Sequence, residues 1–116
     1  MRIVIAEDER IIALGLSSVL KKLGHEVKDL CASGELCIES VERNHPDVVF
    51  MDIRMDGLMD GIEAAQIVRD RFDTPVVFTT AFDDNATRER AAEVKPLAFL
   101  TKPIGSDSIQ IGRAHV

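Results

Sequence analysis

Three short runs of consecutive apolar residues punctuate the chain, Arg2 to Ala6, Asp47 to Met51 and Pro75 to Thr79, each rich in Val or Ile and bounded by charge or turn chemistry. A strand with one wet face alternates apolar and polar positions. An unbroken apolar run instead fits a strand covered on both faces, as in a parallel sheet layered with helices. A weaker strand is predicted over Glu26 to Ala32, where Val27, Leu30 and Ala32 stand among polar residues as they would at a sheet edge. A fifth is predicted over Leu97 to Leu100.

Between these runs the apolar period becomes helical. Ile12, Leu16, Val19, Leu20 and Leu23 form one stripe, and Gly24 follows where a C-cap belongs. Glu35 to Arg43 carries Leu36, Ile38 and Val41 and stops before Pro46. Ile62 to Phe72 sets Ile62, Ala65, Ile67 and Val68 near one face, with Asp60 as its N-cap. Asn85 to Glu93 offers only Ala86, Ala91 and Ala92 for burial and is expected to be the least firmly held helix. Strand and helix alternate five times with connections too long for hairpins, which predicts a doubly wound α/β domain with parallel strands and right-handed crossovers. Ligands of such sheets sit outside the carboxyl ends of the strands, so the chemistry is sought there.

Composition narrows the reading. A chain of 116 residues is long enough for one domain that buries roughly two-thirds of its surface without a disulfide or metal staple. Cys31 and Cys37 form no C-x-x-C pair and fit reduced core positions in a cytoplasmic protein. No apolar run approaches the ~18 residues of a membrane span. With 14 basic against 20 acidic residues and neither Trp nor Tyr, the chain lacks the charge and the stacking rings for direct nucleic-acid binding.

The predicted strand ends carry an unusual set. Glu7 and Asp8 end the first strand, Asp52 the third, Thr79 and Thr80 the fourth, and Lys102-Pro103 follows the fifth. Two like charges ~4 Å apart cost about 1 kcal/mol in water and about 4 at an effective dielectric of 20, so converging carboxylates need a compensator. A hard divalent cation such as Mg²⁺ suits carboxylate, carbonyl and water oxygens, and Lys102 supplies a second positive centre. Helix N-capping accounts for one or two of these acids but not for an Asp52 aimed at the same point. Phosphoryl transfer uses this kit: Asp52 as nucleophile, a cation held by Asp8, Asp52 and a main-chain carbonyl with Glu7 acting directly or through water, Lys102 for charge and the Thr80 hydroxyl for a hydrogen bond.

In order along the chain, Ile5-Ala6-Glu7-Asp8-Glu9, Val49-Phe50-Met51-Asp52-Ile53-Arg54-Met55 leading to Met59-Asp60-Gly61, Thr79-Thr80-Ala81 and Leu100-Thr101-Lys102-Pro103 resemble the receiver domain of two-component response regulators. The resemblance spans residues 2 to about 108. It implies a flavodoxin-like (βα)₅ fold with strand order 2-1-3-4-5. It also implies that Asp52 accepts a phosphoryl group from the phosphohistidine of a sensor histidine kinase or phosphotransfer protein, with Mg²⁺ on Glu7, Asp8, Asp52 and the Arg54 carbonyl. Thr80 and Lys102 match the family's threonine and lysine positions. Phe99 matches the switch aromatic, here without the hydroxyl of the common Tyr, and the bond before Pro103 matches a typically cis proline. The output surface is that of the fourth helix, fifth strand and fifth helix, through which a homodimer can also form. Two departures stand beside the acceptor: Asp56 replaces the usual proline, and the loop through Gly57 and Leu58 is one residue longer than the commonest form. Arg54, two residues past Asp52, is placed to tune attack by water.

Two other classes match the residues less well. A Mg²⁺-dependent aspartyl-phosphate phosphatase of haloacid dehalogenase type wants an Asp two residues after the nucleophile, where Arg54 stands. A nucleotide- or flavin-binding domain wants glycines in the first strand-helix turn, which is Glu7-Asp8-Glu9-Arg10.

The C-terminus departs from an amphipathic fifth helix. Ile111-Gly112-Arg113-Ala114-His115-Val116 can be encoded by ATC GGA AGA GCA CAC GTC, a common sequencing-adapter sequence. Residues 1–110 are therefore expected to be the receiver domain, its fifth helix truncated, and 111–116 an adapter-derived tail. The nucleotide record is expected to show those codons, and codons unlike the adapter overturn the assignment.

Overall fold

The structure is a computed structural model that describes residues 1–55, 57–81, 85–102 and 104–105. Along the chain the elements are β1 (Arg2–Ala6), α1 (Arg10–Lys22), β2 (Glu26–Cys31), α2 (Gly34–Asn44), β3 (Val48–Asp52), α3 (Gly61–Phe72), β4 (Val76–Thr80), α4 (Asn85–Ala92) and β5 (Ala98–Thr101). The five strands make one parallel sheet in the order β2-β1-β3-β4-β5, so the expected topology is observed. Asp56, Pro103 and the expected truncated fifth helix with its tail at 111–116 lie outside the described residues.

Successive strand residues point to opposite faces, and here each face has its own core. Val4, Ala6, Val49, Met51, Val76 and Phe78 pack with Cys37, Val41, Ile62, Ala65 and Val68 of α2 and α3. Ile3, Ile5, Val48, Phe50, Val77 and Leu100 pack with Leu16 and Leu20 of α1. The apolar runs are unbroken because neither face of the central strands meets water. Edge strand β2 alternates exposed and partly buried residues from Glu26 to Asp29 and then turns inward through Leu30 to buried Cys31. The expected strand residue Ala32 lies beyond its end and is exposed, after a register shift between Ile3 and Val4 in the pairing with β1.

Strand pairing runs past the apolar residues. The runs stop at Met51, Thr79 and Leu100, whereas the ladder continues through Asp52 opposite Thr79 and Thr80 opposite Thr101. Main-chain N–H and C=O groups pair whatever side chain they carry, so the last polar rungs are held as firmly as the apolar ones.

Helix α3 starts almost in contact with the end of β3. Asp60 caps it, accepting the Glu63 N–H at 2.9 Å while the Glu63 side chain accepts the Asp60 N–H at 3.3 Å, a reciprocal capping box. Gly61, the first helical residue, donates its N–H to the Ile53 carbonyl at 2.9 Å. A Cβ on Gly61 would lie 1.9 Å from the Asp52 carbonyl oxygen and 2.9 Å from Ile53 Cα, main-chain atoms that cannot turn aside. Gly61→Ala is therefore expected to lower stability by about 2 kcal/mol and the melting temperature by about 8 °C, measured by thermal circular dichroism. A melting temperature equal to wild type contradicts this close approach.

Candidate functional site

The ladder that shapes the sheet also aims its polar ends. Beyond β1 the Glu7 N–H donates to the Cys31 carbonyl at 2.9 Å. Beyond β3 the Ile53 N–H donates to the Thr79 carbonyl at 3.1 Å, and beyond β5 the Lys102 N–H donates to the Thr80 carbonyl at 2.9 Å. Main-chain bonds thus fix the chain on both sides of Asp52 and at each neighbouring functional position.

Glu7, Asp8 and Asp52 come together at this edge, each with a carboxylate oxygen within 4.8 Å of the others. Glu7 and Asp52 are buried and Asp8 half-buried. Lys102 reaches between the two buried acids, its Nζ donating to Glu7 Oε1 and lying 3.4 Å from Asp52 Oδ1. Thr79 and Thr80 are buried beside them. The other Glu7 oxygen accepts the Glu9 N–H at 3.0 Å, so part of its role is to support the turn into α1.

Burial and then the nearby Glu7 charge push the Asp52 carboxyl up to about 7, with Lys102 acting in the opposite sense. Burial alone would lower Lys102. The hydrogen bond to Glu7 and the charges of Asp52 and Glu7 outweigh it and hold the ammonium above its ordinary value. Three carboxylates whose oxygens lie this close, two of them buried, are a donor set for a hard divalent cation, and their oxygens fit Mg²⁺.

The remaining predicted residues border this cluster. The Arg54 N–H lies 3.4 Å from Asp52 Oδ1, and its side chain is exposed. Phe99 is half-buried on β5, its ring 5.8 Å from that of Phe78 at 28°, with the Arg88 guanidinium 4.8 Å from its centroid. Pro103 lies outside the described residues. Three contacts escape the sequence motifs. Arg88 covers the Phe99 ring, Arg90 pairs with Asp60 at 3.2 Å, and Glu35 on α2 accepts the Met59 N–H at 3.1 Å. Each joins residues distant in sequence, and the one local cue was an acid in the first turn of a helix.

A carboxyl raised above its unfolded value stabilises most when protonated. The Asp52 contribution is fully present below about pH 4, the unfolded range, and is lost as pH rises through about 7. In EDTA, the melting temperature of wild type is expected to fall between about pH 6 and 8 by several degrees more than that of Asp52→Asn. Parallel declines in the two proteins contradict this.

Comparison with known proteins identifies the family. The response regulator receiver domain family matches residues 3–111. The transcriptional regulatory protein PdtaR of Mycobacterium tuberculosis is 36% identical over 102 residues, which cover 88% of this chain and 49% of that protein. A protein-glutamate methylesterase/protein-glutamine glutaminase of Archaeoglobus fulgidus is 31% identical over 91% of this chain and 31% of its own length. The chain thus spans half or less of these curated relatives. Among solved structures, the signal receiver domain of a modulated diguanylate cyclase from Desulfovibrio desulfuricans G20 superposes with a TM-score of 0.91 at 30% identity, covering 98% of this chain and 90% of that one. Sequence match and sheet order coincide from the first strand to beyond the fifth, and the chain belongs to the response regulator receiver domain family of two-component signalling systems.

Proposed function

We propose that Asp52 accepts a phosphoryl group from the phosphohistidine of a sensor histidine kinase or phosphotransfer protein, in a Mg²⁺-dependent reaction. The observation that carries this is the meeting of buried Asp52 with Glu7, Asp8 and Lys102 at the end of the β3 ladder. An Asp52 carboxylate oxygen attacks phosphorus, the donor N–P bond breaks, and the imidazole keeps the electron pair. Glu7, Asp8, Asp52 and the Arg54 main-chain carbonyl would hold the cation, whose charge offsets that building on the phosphoryl oxygens. Lys102, already against Asp52, shifts its ammonium toward the incoming oxygens, and the Thr80 hydroxyl donates to one of them.

The same reading assigns the response to α4, β5 and the fifth helix. Thr80 moving toward the acyl phosphate lets the Phe99 ring repack inward, a local charge change biasing a two-state surface. Phe99 has no hydroxyl, so packing alone carries its part. The receiver is a cytoplasmic signalling domain whose own chemistry is self-phosphorylation and autodephosphorylation, and it makes no direct nucleic-acid contact. Among the described residues no helix is long and apolar enough to cross a membrane. A dehalogenase-type phosphatase is not favoured, because Arg54 occupies the position its second aspartate requires.

Incubation with acetyl phosphate and Mg²⁺ followed by intact mass spectrometry is expected to give one phosphoryl adduct, absent in Asp52→Asn. No adduct on wild-type protein with native far-UV circular dichroism overturns the reading.

A further inference from the structure

The segment between Asp52 and α3 is held firmly at both ends but passes through an enlarged loop. The Ile53 N–H is tied to the Thr79 carbonyl and the Gly61 N–H to the Ile53 carbonyl. The structure supplies a brace from elsewhere. Glu35, in the first turn of α2, accepts the Met59 N–H on Oε1 at 3.1 Å, across 24 residues of sequence. Its own N–H, the Ser33 hydroxyl and the N–H groups of Met59 and Leu58 hold the carboxyl below its usual range, against a smaller opposing effect of burial.

The loop is fitted to this carboxylate. Gly57 has φ +133°, and a Cβ there would lie 3.1 Å from Glu35 Oε2, so a side chain would be strained by the backbone conformation and would crowd the brace. Gly34, next to Glu35, allows α2 to approach the same loop end and α3. A Cβ on Gly34 would lie 3.1 Å from Met59 Cγ and 2.8 Å from Ala64 Cβ. Ser33 caps α2 by accepting the Leu36 N–H at 3.2 Å, and a carboxylate in that first turn also suits the helix dipole. The brace is therefore mounted on a rigid element.

We propose that Glu35 is a positioning residue for chemistry at Asp52: by holding the loop at Leu58 and Met59 it sets the Arg54 carbonyl that completes the oxygen donor set around Glu7, Asp8 and Asp52. This rests on the receiver reading above. Glu35 touches neither the cation nor the phosphoryl group. It acts through the main chain, as groups that orient ligands do.

The test compares Glu35→Ala, Glu35→Gln and Ser40→Ala in the 116-residue chain. Ser40 is a buried α2 residue whose hydroxyl donates at 2.6 Å to Asp29 on β2 rather than to the loop, so its loss weakens the α2 attachment and leaves the brace residues in place. MgCl₂ titrations of the unphosphorylated proteins, followed by amide NMR shifts, report affinity independently of phosphorylation. Glu35→Ala is expected to weaken Mg²⁺ binding about tenfold, Ser40→Ala to lower the melting temperature with affinity unchanged, and Glu35→Gln, which keeps an acceptor oxygen, to restore most of the affinity. Affinity in Glu35→Ala equal to wild type, or a loss matched by Ser40→Ala, overturns the positioning role. Wild-type protein that forms no adduct with acetyl phosphate and Mg²⁺ overturns the receiver reading itself.

Discussion

The ammonium of Lys102 between Glu7 and Asp52 is the contact on which the functional edge depends. Two carboxylates are buried at the ends of adjacent strands β1 and β3, where water cannot screen them. Burying such charges is tolerable only with a partner, and removing one member of a buried pair typically costs about 3–5 kcal/mol. Burial first, and then the Glu7 charge, raises the Asp52 carboxyl against the pull of Lys102, and a divalent cation on the clustered oxygens would favour its charged form.

Everything near that contact is held by main chain rather than by long side chains. Ladder bonds fix the positions of Glu7, Ile53 and Lys102, and Gly61 lets α3 begin against the Asp52 carbonyl. Helix α4 contrasts with this. Ala91 is its one residue described as buried, and it is joined to its surroundings by Arg88 on the Phe99 ring and Arg90 on Asp60. Exposed ion pairs and cation–π contacts are each worth about 1 kcal/mol or less, so α4 is seated far more weakly than the apolar helices. A weakly seated element beside the Asp52 cluster suits the surface switch proposed above.

Much of this was legible along the chain. The Val- and Ile-rich runs marked the three central strands, because burial on both faces leaves no polar alternation. Glu7, Asp52, Thr80 and Lys102 stood out because charge or a hydroxyl directly after such a run must lie at a strand end. Asp60 announced the start of α3. Asp52 and Thr80 form the last rungs of the third and fourth strands as expected, whereas the fifth strand runs one residue further, to Thr101, because that rung pairs through main-chain groups that the side-chain pattern does not report. Glu35, Arg88 and Arg90 were not legible as parts of the site, because their partners are brought near only by the crossovers.

The sequence by itself determined that this is a parallel α/β domain and which acids, threonines and lysine occupy its carboxyl edge. Local periodicity and the order of elements suffice for that. Only the tertiary structure decided how near Glu7, Asp8 and Asp52 approach, that Lys102 spans two of them, and that Glu35 braces the loop beside them. Those facts are distances between segments remote along the chain. Such distances follow from how sheet and helices pack together, which no local pattern encodes.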